Sequence, residues 1–339
     1  MSEPLSARWR RRAMSIPTML GFTVLLVVGL PLLLPAAVVV DLVRGRLRMP
    51  TARVYLFVLQ YVVNDSLEIV LAPVFWALAG FGTTLRSPAS RARHLRLQNW
   101  SVRTMVNRAD QLLDLPVEVD GADRLARGSG PVIAIGRHAS LFDASLPGLV
   151  MEQLGWHVRG VIMAELLADP GFDLIYRRTG SVFIPRDDGP AAVRAIESMA
   201  AGADADTALV IFPEGRLYRR PVRDRLLARL ADSDPERAAR LADLRHLLPP
   251  RPGGFNALLD AVPDADVVLF DHRGLDNLRR LGDLLRVVPV GEAVTVTLRR
   301  FDRSGIPEDR PSRTAWLDQV WLDMDAAREA DLREEGFKR

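Results

Sequence analysis

The fold of this chain turns on Val132-Ile133-Ala134-Ile135-Gly136-Arg137-His138-Ala139-Ser140-Leu141-Phe142-Asp143. Four apolar residues stop at a glycine and give way to polar ones, the mark of a buried strand that ends in a turn. His138 and Asp143 stand five apart just beyond it. On an unbroken helix five residues rotate by about 500°, leaving the side chains roughly 140° apart, so the two meet only where the chain turns between them. A strand end, a turn and a first helical turn provide that bend. A carboxylate bonded to one imidazole nitrogen fixes the tautomer and leaves the other nitrogen to take a proton from a hydroxyl. The same pair also suits a helix-capping aspartate beside an incidental loop histidine, and two residues alone do not choose between these readings.

Outward from this stretch, short apolar runs recur at Val117–Val119, Val158–Met163, Val182–Ile184, Leu209–Phe212, Val267–Phe270, Val287–Val290 and Val294–Leu298. Helical patterns lie between most of them, as at Ala144–Leu154, Ala191–Ala201 and Asp224–Leu247, the last broken at Asp232-Ser233-Asp234-Pro235. Strand and helix in alternation predict an α/β domain with a mixed, largely parallel sheet flanked by helices. Arg313–Arg333 carries Trp316, Val320, Trp321 and Met324 at helical spacing and forms a C-terminal helical tail.

The N-terminal part reads differently. Ala13 to Val40 is uncharged over 28 residues, beyond the roughly 20 that cross a bilayer, and no small-residue cleavage site follows it. Pro31 and Pro35 fall within it and are expected to kink or break a helix there. Val54 to Leu85 is again mostly apolar, interrupted by Asn64, Asp65 and Glu68. Arginines flank both segments at 8–12, 44–53 and 86–93, and a single pass for either would put one cluster on the non-cytoplasmic side. Membrane-associated segments that dip in and return, or lie in the interface, fit better than single spans. The organisation expected is 1–86 membrane-associated, 87–116 a helical connector, 117–300 the α/β domain and 301–339 the tail.

Composition narrows the chemistry. The 339 residues hold 45 Lys and Arg against 42 Asp and Glu, a formal charge of +3, and Lys338 is the one lysine. No basic stripe alternates with aromatics, so nucleic acid is not an expected partner. With no cysteine, disulfides, thiolate nucleophiles and cysteine metal sites are all excluded. The remaining histidines, His94, His157, His246 and His272, show no ligand spacing, so no metal is expected and a hydrolase built on His138, Asp143 and Glu214 around zinc is disfavoured. Asp271-His272 reads as a strand-end turn rather than a second dyad.

Three more clusters follow strands. Gly180-Ser181-Val182-Phe183-Ile184-Pro185-Arg186 leaves an arginine at a strand end, and Ile211-Phe212-Pro213-Glu214-Gly215-Arg216 presents Glu214 and Arg216 around a glycine. Pro249-Pro250-Arg251-Pro252-Gly253-Gly254-Phe255 opens a helix. Ligands of open α/β sheets sit at the carboxyl ends of the strands, and arginines there suit a phosphate. Each cluster alone is also consistent with an ion pair, a cap or a plain turn.

Together and in this order, the four clusters resemble the glycerolipid acyltransferases of the lysophosphatidate acyltransferase (PlsC-like) family from about Val117 to Val290. The family's marks are an asparagine-histidine-x4-aspartate block, a glycine-x-x-phenylalanine-isoleucine-x-arginine block and a phenylalanine-proline-glutamate-glycine block. Arg245 to Phe255 and the segment from Leu298 through Trp321 are similar to the branch that acts on several lysophospholipids. Two positions depart: Arg137 stands where asparagine or serine precedes the histidine, and Arg216-Leu217 replaces threonine-arginine after Glu214-Gly215.

The resemblance implies the glycerolipid acyltransferase fold and an O-acyltransferase of phospholipid biosynthesis. An acyl group would pass from acyl-CoA or acyl-carrier protein, as co-substrate, to the free hydroxyl of 1-acyl-glycerol-3-phosphate or a related lysophospholipid. His138 would be the general base and Asp143 its holder. Arg186, Glu214, Gly215, Arg216, Arg137 and Arg251 would surround the acceptor. No cofactor is implied, and the place of action is the inner or plasma membrane with the catalytic domain on its cytoplasmic face. The alternatives are an inactive membrane scaffold that keeps the fold, or a different phosphorylated or glycosylated lipid acceptor. Ser140 lacks the glycine-flanked elbow of a serine nucleophile.

Overall fold

The computed structural model describes residues 3–125, 130–140, 142–185, 189–278 and 280–337. Four helices come first: α1 (Leu5–Val28), α2 (Leu30–Val43), α3 (Pro50–Leu78) and α4 (Pro88–Leu113). Then follow β1 (Val117–Asp120), β2 (Val132–Gly136), α5 (Leu146–Gln153), β3 (His157–Met163), α6 (Pro170–Leu174), β4 (Val182–Ile184), α7 (Gly189–Ala200) and β5 (Thr207–Ile211). The chain continues through α8 (Arg220–Ser233), α9 (Pro235–Arg240), α10 (Pro252–Ala261), β6 (Asp266–His272), α11 (Leu284–Val287), β7 (Val294–Phe301) and α12 (Arg310–Phe337).

Among the described residues seven strands form one sheet in the order β1-β7-β6-β2-β5-β3-β4. β2 to β6 all run the same way, whereas β7 is antiparallel to β6 and carries β1 parallel to itself. The expected mixed, largely parallel sheet is therefore present. In the centre Ile135 of β2 lies opposite Ile211 of β5 on one side and Leu269 of β6 on the other. This register brings the carboxyl ends of the three central strands level, so the residues that follow them emerge side by side.

Because side chains alternate across a strand, each central strand feeds two cores. Val132, Ala134, Ala208, Val210, Val268 and Phe270 pack one face, against α4 and α5. Ile133, Ile135, Leu209, Ile211, Val267 and Leu269 pack the other, against α7, α10 and α12. Each central strand is buried on both faces, which is why these runs are continuously apolar rather than alternating. The first core also takes in Val54 and Phe57 of α3, so it crosses the expected division between N-terminal segments and α/β domain.

One expected strand is not one. Val287–Val290 is the end of α11 followed by a turn, because Pro289 has no N–H to give a ladder. The helix break expected at Pro31 or Pro35 falls instead at Gly29, between α1 and α2. Pro31 sits in the first turn of α2, where a missing N–H is harmless.

α1 with α2 runs back to back with α3 as a hairpin: the Tyr55 hydroxyl donates to the Leu26 carbonyl at 2.7 Å and the Thr23 hydroxyl to that of Val62 at 3.1 Å. Asp41 is wholly buried at the turn and accepts the N–H groups of Thr51 and Ala52, capping α3. Both ends of this hairpin are tied to the rest of the chain. At one end Arg11 and Arg12 meet Asp173 of α6 at 2.9 and 2.6 Å. At the other, Arg53 donates to the Leu112 carbonyl at 3.1 Å. The hairpin lies along the domain, and its outer side exposes Phe22, Val24, Leu25, Val28, Leu32, Val39 and Val43. α1 and α3 are each long and apolar enough to cross a membrane.

The paired glycines that open α10 are not equivalent. A Cβ on Gly254 would stand 2.6 Å from Cδ1 of Ile211 and 3.0 Å from Cδ1 of Ile196, whereas one on Gly253 would meet only Cγ2 of Val193, at an ordinary contact distance of 4.0 Å. Gly254→Ala should therefore destabilise the fold by about 1–3 kcal/mol through overpacking. Gly253→Ala should be neutral or stabilise by up to about 1 kcal/mol through helix propensity. Denaturant melts of the two variants check the opposite signs.

Candidate active site

The level ends of β2, β5 and β6 deliver His138, the 212–216 loop and His272 to one place. The His138 Nδ1 and Asp143 Oδ1 atoms are 2.7 Å apart. The other carboxylate oxygen accepts the backbone N–H groups of Ala139 and Ser140 at 2.6 and 2.8 Å, so Asp143 folds its own loop while it holds the imidazole. Of the two readings open at the sequence level, the pair is realised, and the turn between them is the one the five-residue spacing demanded.

The His138 side chain is 22% exposed and that of Asp143 not at all. Since Asp143 accepts at Nδ1, the ring carries its proton there and Nε2 presents a lone pair, with no partner among the described residues. Burial alone would raise the Asp143 carboxyl, but the hydrogen bond from His138 and the nearby His272 outweigh it and hold it at about 2. It is an anion throughout the neutral range. Phe212 packs beside the imidazole, ring centroids 5.0 Å apart.

Backbone bonds knit the neighbouring loops to this one. Tyr218 donates its N–H to the His138 carbonyl at 2.9 Å, and Arg251 donates its N–H to that of Pro213 at 2.8 Å. Gly215 has φ +65°, a left-handed turn that a side chain would strain, and its N–H closes onto the Phe212 carbonyl. The Arg251 guanidinium lies over Gly215, 3.6 Å from where a Cβ would stand. Arg216 has its Nε buried and without a hydrogen-bond partner among the described residues. The loops that carry His138, Gly215, Arg216 and Arg251 are thus bonded to one another. Arg186 lies outside the described residues.

Arg137 and Glu214 are placed differently from the acceptor-facing positions expected. Arg137 is 1% exposed and turns inward, where its fork grips Asp276 at 2.8 and 3.1 Å and its Nε donates to the His272 carbonyl at 3.2 Å. Burial would raise Asp276, but Arg137 holds it at about 2. Glu214 is fully buried beneath the loop, and neither oxygen has a hydrogen bond among the described residues. Burial pushes its carboxyl well above the usual range; Arg137 draws it back only in part, and Asp143 adds to the rise. Burial thus favours the neutral form of Glu214 in this interior position.

The C-terminal helix does more than the apolar stripe suggested. Asp325 accepts the N–H groups of Arg245, His246 and Leu247 at 2.9, 2.6 and 2.9 Å, fixing the loop that carries Arg251. Asp318 pairs with Arg237, whose Nη2 donates to the Pro250 carbonyl at 2.7 Å. Arg328 reaches Asp276 at 3.1 Å. Trp321 is wholly buried. His272, read from sequence as a strand-end residue, is the last residue of β6 and also brings Nε2 to 3.5 Å from Asp143 Oδ2, the outer limit of a hydrogen bond. No group of three or more metal-ligating side chains is present among the described residues. Ser140 is buried and its hydroxyl donates to the Leu278 carbonyl, which leaves it no path to act as a nucleophile.

With this geometry in place, the chain can be set beside known proteins. The Acyltransferase family model matches residues 116–271, which contain β1 to β5, all of β6 but its last residue, and every residue of the His138–Asp143 loop. Residues 116–271 of the α/β domain are thus similar to the acyltransferase family. The chain is similar to the crystal structure of the 1-acyl-sn-glycerophosphate (LPA) acyltransferase PlsC from Thermotoga maritima, with 15% identity and a TM-score of 0.47 over 82% of this chain and 98% of that one. No curated protein matches.

Asp325 is 4% exposed and its loss would orphan three backbone donors at once. Asp325→Ala should destabilise the α/β domain by about 3 kcal/mol. Hydrogen exchange should rise at 245–251 ahead of the sheet, and unchanged protection there would show the loop to be held by other means.

Proposed function

We propose that the chain is a membrane-bound O-acyltransferase that moves an acyl group from a thioester donor to the free hydroxyl of 1-acyl-glycerol-3-phosphate or a related lysophospholipid. The observation that carries this reading is the His138–Asp143 pair at 2.7 Å, its imidazole 22% exposed, inside the region that matches the Acyltransferase family model. Nε2 takes the acceptor hydroxyl proton as its oxygen attacks the thioester carbonyl. The tetrahedral intermediate collapses, the C–S bond breaks, and the leaving sulfur takes the proton from the imidazolium. Asp143, already ionised, stabilises the positive ring without itself becoming protonated. Arg216 and Arg251, on loops tied by backbone bonds to the His138 segment, are proposed to take the acceptor phosphate, which their guanidinium forks suit. Arg186 at the end of β4 is proposed to join them. Arg137 and Glu214 act from below, by fixing the β6 loop and filling the floor.

The hairpin of α1, α2 and α3 supports membrane attachment. Its uncovered apolar side suits the acyl region of one leaflet, and a hairpin tied down at both ends lies in the interface rather than crossing it. Arginines at both ends then share one face of the membrane, which favours the cytoplasmic side.

His138→Ala should lower turnover about 10²- to 10⁴-fold and leave thermal stability and membrane association unchanged. The assay supplies labelled acyl thioester with a panel of lysophospholipids and identifies the product by mass; near wild-type turnover in the variant would refute the base assignment. Asp143, held at about 2, stays ionised across any practical assay. The acid limb of kcat/KM should accordingly have unit slope, and a slope of two would mean that the carboxylate titrates with the base. The same depressed carboxyl stabilises the fold above about pH 4 and withdraws that support as pH falls toward about 2.

A further inference from the structure

A cavity of about 430 Å³ beside the candidate active site is lined by Arg219, Arg220, Pro221, Arg280 and Asp283. Its walls continue the two loops that hold the His138 segment. Arg219 and Arg220 follow Tyr218, whose N–H bonds the His138 carbonyl at 2.9 Å. Arg280 stands two residues past Leu278, whose carbonyl takes the Ser140 hydroxyl. None of the three guanidinium groups has an ion pair or hydrogen bond among the described residues. Neighbouring arginines are engaged: Arg223 with Asp224, Arg237 with Asp318, Arg273 with Asp331 and Arg328 with Asp276.

The same cavity receives the N-terminus of α8, a helix of 14 residues that begins at Arg220. That end has no side-chain cap and no acidic residue in its first turn. Its partial positive charge therefore adds to the three arginines instead of being answered. The single carboxylate lining the cavity, Asp283, accepts the backbone N–H of Arg280 at 2.9 Å. Like charges converging on a concavity repel one another until an anion enters, so the arrangement is built for a ligand with several negative charges.

Resting on the acyltransferase reading, we propose that this cavity binds the phosphorylated nucleotide head of an acyl-CoA donor. The thioester must lie at His138 Nε2, and its carrier must lead away past the loops that end at Tyr218 and Leu278. CoA bears three phosphates at the far end of a flexible arm, which suits three forks and a helix end. The volume of the cavity falls within the size range of small-molecule sites, whereas a carrier protein brings one phosphodiester and a broad folded surface.

The test measures binding of CoA, dephospho-CoA and adenosine 3′,5′-bisphosphate to the detergent-solubilised full chain, beside Arg219→Ala/Arg220→Ala/Arg280→Ala and the single variant Arg280→Glu. All three arginines are exposed, so both variants should keep the wild-type melting temperature. The expected result is CoA binding to the wild type, several-fold weaker binding of dephospho-CoA, and at least about a tenfold loss in the triple variant, one tenfold step per about 1.4 kcal/mol. Vesicles of anionic phospholipid should not displace CoA. Wild-type affinity in the triple variant, absence of CoA binding to the wild type, or displacement by the vesicles would each overturn the assignment. A turnover assay with acyl-CoA and acyl-carrier protein separates the two levels. CoA binding without transfer from any donor defeats the acyltransferase reading alone, whereas transfer from carrier protein without CoA binding defeats only the cavity assignment.

Discussion

Everything at the open side of the sheet depends on one buried carboxylate. Asp143 takes the His138 ring on one oxygen and two backbone N–H groups on the other, with a second imidazole at 3.5 Å. A charge with almost no exposure is tolerable only because these donors replace its water. The arrangement constrains in both directions, since the aspartate orients the histidine while the loop that carries both is wrapped around the aspartate. Neither side chain can drift without breaking the turn that made their five-residue separation a contact.

Beneath this pair lies an interior network assembled from distant segments. Arg137 follows β2 and Asp276 follows β6, while Arg328 and Trp321 come from α12. The network binds the C-terminal helix to the loops at the strand ends, so the last 30 residues are part of the site's foundation. Glu214 fits this environment as a neutral group, because a second anion so near Asp143 would add repulsion to the penalty of burial.

The strands were legible because a sheet covered on both faces needs uninterrupted apolar runs, and each run ended in glycine, proline or a polar residue. Val287–Val290 imitated such a run, since composition alone does not register that Pro289 cannot pair. The His138–Asp143 contact was legible as a possibility, and so was the meeting of the loops that carry Gly215 and Arg251 near it at the strand ends. Arg137 and Glu214 were visible as polar residues at strand ends, but whether a side chain there turns outward or down depends on what packs below. That partner, Asp276, lies 139 residues further along the chain. The duties of Asp318, Asp325 and Arg328 were illegible for the same reason: on a charged helix they look like solvated positions until their partners about 50–80 residues away are known. Arg186 falls outside the described residues.

A hairpin fastened at Asp173 on one end and at Leu112 on the other cannot swing like a tether. The gap between its uncovered flank and the imidazole is thereby a constant of the molecule. On the proposed function, an amphiphilic acceptor would have to present its reactive oxygen at one height above the plane in which its tail is embedded. Headgroups of greater or lesser reach would then arrive too high or too low, and the hairpin would act as a ruler.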